Sequence, residues 1–131
     1  MQLLSLKGNT VVREVLSKEE VMDVARRFAK DANEIFPTAT VILFGSYAKG
    51  WARPGSDIDI ALLFVEFPYE NVRKQFEEEI KLERLIFEKY KMDIQFVTRT
   101  LDDSTGFVHN ILDTGILISD PCNQVIEISD N

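Results

Sequence analysis

Cysteine is almost missing from this chain: its 131 residues contain only Cys122. A single thiol excludes an internal disulfide framework and makes a reducing, cytoplasmic setting the simplest expectation. Long apolar runs are also missing, so no membrane span is expected. The segment Met1 to Lys7 is too short and too weakly charged to read as a secretory leader. Positive charge is absent from Leu101 to Asn131, which holds six acids (Asp102, Asp103, Asp113, Asp120, Glu127, Asp130) and no Lys or Arg. Residues 1–100 are nearly balanced at a net −1, so most of the overall −7 sits in that last stretch. Nothing here is a basic surface for extended nucleic acid. The acidic stretch fits a basic protein partner, although a solvated tail is the more ordinary expectation. Internal repeats, low-complexity tracts and linkers are lacking too. With 45% apolar and 28% charged residues, the chain reads as one globular domain over 1–131.

Residues 1–16 alternate loosely around Gly8-Asn9, as a small hairpin or an irregular arm would. Ser17-Lys18-Glu19-Glu20 is a capping box, with Ser17 at the N-cap and Glu20 three residues on. Val21, Val24, Ala25, Phe28, Ala32 and Ile35 follow at helical spacing, and Pro37 ends that helix. Ala39 to Phe44 reads as a buried strand and Ser56 to Phe64 as a second. Ala48 to Pro54 lies between them as a loop or short helical turn. Pro68 opens a long helix through about Tyr90, with Val72, Phe76, Ile80, Phe87 and Tyr90 at helical intervals. Met92 to Val97 predicts a third strand, Gly106 to Leu112 a short helix, and Gly115 to Ile118 a fourth strand. Helices interleaved with short buried strands give a layered α/β or α+β domain. Its core spans about 17–118, between an N-terminal arm (1–16) and an acidic tail (119–131).

The stretch from Gly45 to Leu62 carries the chemistry. Gly45-Ser46 follows an apolar strand, and ten residues later Asp57-Ile58-Asp59 opens a second one. Side chains alternate along a strand, so Asp57 and Asp59 share a face while Ile58, Ile60 and Leu62 point to the buried one. At about 4 Å and an effective dielectric of about 20, two carboxylates repel by about 4 kcal/mol. Such a pair is relieved by protonation or by a cation, and hard divalent ions such as Mg²⁺ favour carboxylate and phosphate oxygens. Asp93, at the start of the third strand, is the natural third carboxylate for a two-metal site that activates and releases oxygens in displacement at phosphorus. Gly45 admits close backbone approach to a phosphate. Ser46 offers a hydroxyl at the start of a short helix, and Lys49 and Arg53 in the same loop can neutralise phosphate charge. Singly, a Gly-Ser turn, an Asp-x-Asp and two loop cations are ordinary. Two aspartates inside an otherwise apolar strand are not, because solubility does not require them there. A P-loop is excluded, since Gly50 is followed by Trp51. Tyr47 and Trp51 fit stacking on a base or packing of their loop. His109 reads as a structural or surface residue and Cys122 as a free thiol.

At these residues the chain resembles the minimal nucleotidyltransferases of the DNA polymerase β-like superfamily. Their hallmark is Gly-Ser, ten residues, then Asp-x-Asp, with a later acid at a strand start. Gly45-Ser46, Asp57-Ile58-Asp59 and Asp93 match it, and the resemblance runs from about Ser17 to Ile118. It implies a small mixed sheet flanked by helices and Mg²⁺-dependent transfer of a nucleoside monophosphate from ATP or another NTP. It further implies metal on Asp57 and Asp59, acceptor activation by Asp93, and triphosphate contact by Ser46. Several such proteins act as antitoxins that adenylylate a HEPN-domain toxin, so that partner is implied as well. Little chain remains after the nucleotide-binding core to hold an acceptor, which favours a protein acceptor. The alternatives are transfer to a small molecule in a site completed by a partner subunit, and neutralisation of a partner by contact alone.

Overall fold

The computed structural model describes residues 4–7 and 10–125. Of the two readings of the N-terminal arm, the hairpin is the one found. Strand β1 (Leu4–Lys7) pairs antiparallel with β2 (Thr10–Arg13), and Lys7 lies opposite Thr10.

Helix α1 (Lys18–Ile35) begins on the expected capping box. The Glu20 amide donates to Ser17 Oγ at 3.1 Å, and the Ser17 amide donates to Glu20 Oε1 at 2.9 Å. These two bonds satisfy donors that a helix start otherwise leaves open. The stripe of Val21, Val24, Ala25, Phe28 and Ala32 is buried, and the helix stops two residues before Pro37.

Four strands form the main sheet: β3 (Thr40–Phe44), β4 (Ile58–Phe64), β5 (Ile94–Thr100) and β6 (Ile116–Ser119). Their order is β5-β4-β3-β6. β3 runs antiparallel to β4 and β6, whereas β4 and β5 are parallel. The sheet is therefore mixed, and the parallel pair needs a crossover, which helix α3 (Val72–Lys89) supplies. One face of β4 (Ile58, Ile60, Leu62, Phe64) packs with Val41 and Leu43 of β3 against Val24 and Phe28 of α1 and Leu82 of α3. The other face (Ala61 and Leu63, with Ile42 of β3) packs against Val108 and Ile111 of helix α4 (Phe107–Thr114).

Three expectations are corrected. The long helix starts at Val72, four residues beyond Pro68, because Asn71 is its N-cap and accepts from the Lys74 amide at 2.7 Å. Its apolar spacing also does not mark one buried face. Leu82 and Tyr90 are buried, but Val72, Phe76, Ile80 and Phe87 are exposed, and Gln75 and Glu78 are buried in their stead. Glu78 is held there by Lys74 at 3.0 Å and Lys81 at 2.9 Å. The first part of the stretch read as an acidic tail (119–131) belongs to the domain: Ser119 ends β6, and residues 120–125 fold back onto it. Asp120 accepts from Thr40 Oγ1 at 2.7 Å and from the Gln124 amide at 3.0 Å. Gln124 is buried and donates to Thr38 O and Thr40 Oγ1, both at 2.8 Å, and its Oε1 accepts from the Val65 amide. The acids at 127 and 130 lie outside the described residues.

Candidate active site

The loop from β3 to β4 builds the first half of the site. Gly45 leaves β3 with φ +75° and opens the single-turn helix α2 (Gly45–Lys49). A side chain at position 45 would overlap Asp59 Oδ2 and sit 3.1 Å from Asp59 Cγ. Glycine is thus needed twice over, for its positive φ and because the Asp59 carboxylate lies against its α-carbon. Helix α2 ends at Gly50, and the Trp51 amide donates back to Ser46 O at 2.8 Å. A turn at Arg53-Pro54-Gly55-Ser56 then redirects the chain into β4. The Ser56 amide donates to Arg53 O at 2.9 Å, and Gly55 has φ +86°. Proline second and a positive-φ glycine third are the requirements of a type II turn.

Asp57 and Asp59 stand at the entry of β4 on the expected common face, in line with Ala61 and Leu63. Helix α4 covers that face over Ala61 and Leu63. Asp57 is exposed and Asp59 half-buried. Phe44 is the cross-strand partner of Asp59 on one side and Gln95 on the other. Burial first, and the negative charge of Asp57 second, push the Asp59 carboxyl above the ordinary aspartate value. Among the described residues, neither cause is offset by a cation or a hydrogen-bond donor. A half-buried carboxylate beside a second carboxylate, lacking a counter-charge, suits a hard divalent ion.

Asp93 stands on the neighbouring chain segment, just ahead of β5. Ile58 pairs with Ile94, which sets Asp93 level with Asp57 and Gln95 level with Asp59. The Ile58 amide donates to the Asp93 carbonyl at 2.9 Å and fixes that register. Residues level in adjacent strands share a face, so all three acids and Gln95 do so. They do not form a closed cage: among the described residues no three His, Cys, Asp or Glu side chains converge on one point. Asp57 acts on Asp59 through its charge, and Asp93 flanks the two at the sheet edge.

Ser46 lies at the start of α2, next to the Gly45–Asp59 contact, while Lys49 and Arg53 are exposed around the loop. Lys49 Nζ sits 5.4 Å from the Trp51 ring centroid, and Trp51 is exposed. Tyr47 is a packing residue, since its hydroxyl accepts from the Leu16 amide at 3.1 Å. His109 and Cys122 are exposed. Gln95 was not a sequence candidate; the signal for it was the repeated i, i+2 step, Asp57 to Asp59 and Asp93 to Gln95. A cavity of about 450 Å³ wraps the free edge of β5. Asp93 and Gln95 line it together with Glu83 and Phe87 of α3 and Tyr90 at the helix's C-cap.

Comparison with known proteins agrees with this geometry. A family model described as "Polymerase beta, Nucleotidyltransferase" matches residues 26–121, the span that contains every residue of the site. Two Methanocaldococcus jannaschii chains, both named "putative protein adenylyltransferase", are similar. One is 36% identical over 51% of this chain and 76% of its own length; the other is 29% identical over 74% and 97%. A Thermococcus cleftensis chain named protein adenylyltransferase MntA is 35% identical over 55% of this chain and 71% of its own length. The chain with Gly45-Ser46 set against Asp57 and Asp59 belongs to the polymerase beta nucleotidyltransferase family.

Proposed function

We propose that this chain transfers AMP from ATP to a hydroxyl of a protein, a HEPN-domain toxin, and thereby acts as its antitoxin. One observation carries the reading: Asp59 lies half-buried against Gly45 and beside the charge of Asp57, an arrangement that favours a bound cation. The protein adenylyltransferase names of the relatives support a protein acceptor. Asp57 and Asp59 would hold Mg²⁺, which neutralises developing charge on the phosphate oxygens when bound. Ser46 and the α2 backbone would orient the triphosphate, with Lys49 and Arg53 offsetting its charge. Asp93 would accept the proton of the acceptor hydroxyl. That oxygen forms a bond to the α-phosphorus, the bond from the α-phosphorus to the bridging oxygen breaks, and pyrophosphate leaves.

The test incubates the chain with labelled ATP, Mg²⁺ and the HEPN-domain protein, and reads AMP addition by mass. Each transfer adds one AMP to the acceptor, and Asp57→Asn/Asp59→Asn lowers the rate by at least about 100-fold. A double variant that still neutralises the toxin fully would mean that contact alone is the mechanism. Labelling of a small molecule in place of the protein would favour the small-molecule reading.

A further inference from the structure

A cavity of about 820 Å³ lies between the first turns of α3 and the loop that leaves β4. β4 runs from the acid pair to Phe64, and the cavity sits beyond that exit, so about 17 Å of strand separates it from Asp59. Asn71, Gln75 and Glu79 recur every four residues and share one face of α3, which lines the cavity. The loop contributes Glu66, Phe67, Tyr69 and Glu70. Three carboxylates therefore line it, and no Lys, Arg or His does. Among the described residues none of Glu66, Glu70 and Glu79 forms an ion pair. Lys74, whose Nζ lies 5.7 Å from the Tyr69 ring centroid, is paired with Glu78 at 3.0 Å.

Gln75 supplies an independent sign of a ligand. It is only 7% exposed, and its Oε1 is the one buried side-chain polar atom among the described residues that lacks a hydrogen-bond partner. Its Nε2 donates to Glu79 Oε2 at 3.0 Å, so turning the amide over would set oxygen against oxygen. Thr98 Oγ1 donates to the same Glu79 oxygen at 3.1 Å, and Glu79 Oε1 accepts from neither group. A buried acceptor without a donor is costly, and an N–H from a ligand removes that cost. We infer that this cavity binds a guanidinium group on an apolar stem, which donates to Gln75 Oε1 and Glu79 Oε1 while Glu66 and Glu70 offset its charge. Among the described residues no three acids converge as a metal ion would require. A guanidinium spreads five donors over a plane, which suits separated acceptors, and that plane stacks on aromatic walls such as Phe67 and Tyr69. The group belongs to a small organic cation or to an arginine side chain of another protein, since the two share this chemistry. The inference stands apart from the AMP-transfer reading, because none of its residues belongs to that site.

The test titrates the full chain with butylguanidinium, with its neutral isostere butylurea, and with the peptide acetyl-Gly-Arg-Gly-amide. Calorimetry gives Kd, and NMR of the Gln75 side-chain amide locates the ligand. Butylguanidinium binds with a Kd of about 1 mM or tighter, moves the Gln75 amide resonances, and binds at least about tenfold more tightly than butylurea. Gln75→Met removes Oε1 at similar volume, and Glu79→Gln removes the charge. Each weakens butylguanidinium by about tenfold, while Asp57→Asn/Asp59→Asn leaves its Kd unchanged. Circular dichroism of each variant checks folding. Tighter binding of the peptide than of butylguanidinium assigns the group to an arginine of a partner protein, and equal or weaker binding assigns it to a small cation. Equal binding of butylurea overturns the inference, as does a Kd unchanged in both Gln75→Met and Glu79→Gln. So does loss of binding in Asp57→Asn/Asp59→Asn, which would place the cation on the acid pair, or no binding of either cation up to about 20 mM.

Discussion

At the scale of single residues, the contact between Gly45 and Asp59 ties the Gly45-Ser46 turn to the acid pair. Gly45→Ala meets both the Asp59 carboxylate and an unfavourable φ of +75°. It should destabilise the fold by about 1–3 kcal/mol in chemical denaturation and remove most AMP transfer by displacing Asp59. Asp59 itself opposes stability without a cation. Its folded pKa is raised, so its ionisation subtracts stability above the folded value, and the penalty disappears as pH falls below the unfolded value of 3.8. Metal-free Asp59→Asn should therefore melt a few degrees higher than the unaltered chain at pH 7. Thermal melts should show that difference shrinking toward pH 4. Mg²⁺ should raise the melting temperature of the unaltered chain and leave Asp57→Asn/Asp59→Asn unmoved.

At the scale of elements, the capping residues place helix starts more reliably than the apolar pattern. Ser17 and Glu20 set the start of α1 where they stand in the chain. Pro68 suits a first helical turn, yet the bond that Asn71 Oδ1 accepts from the Lys74 amide fixes the start of α3. Asn71→Ala should lose about 1 kcal/mol of stability by denaturant titration, with nucleotide transfer unchanged. The acid-bearing face of β4 was legible from alternation alone, because Ile58, Ile60 and Leu62 left Asp57 and Asp59 only one side. Gln95 was not, because its place depends on which strand pairs with β4 and in what register.

Across the whole molecule, polar groups far apart in sequence close the layers. Lys89 Nζ donates to Asp31 at 2.8 and 3.0 Å, and the Tyr90 hydroxyl donates to Asp31 Oδ2 at 2.6 Å, joining α1 to the end of α3. Burial alone would raise the Asp31 carboxyl, but the bonds from Lys89 and Tyr90 outweigh it and hold it below the ordinary 3.8. A lowered folded value means the stabilisation is present above pH 3.8 and is lost as pH falls through the folded value. Asp31→Asn should destabilise by about 1–3 kcal/mol at pH 7, and the gap from the unaltered chain should close in acid unfolding below pH 3.8. Gln124 joins Thr38, Thr40 and Val65, which binds residues 120–125 to the domain.

The sequence by itself determined the layered α/β class, the start of α1, and the family. It also placed Asp57 and Asp59 on one strand face. Each of these follows from short-range rules: a period of 2 or 3.6, a cap three residues long, a motif twelve residues apart. Tertiary structure alone decided what depends on distant pairings. It set Asp93 level with Asp57 through the parallel register of β4 and β5, and it laid the Asp59 carboxylate against Gly45. It also turned Phe76 and Phe87 outward, a choice that periodicity cannot make, because an apolar strip has the same spacing whether it meets a core or solvent.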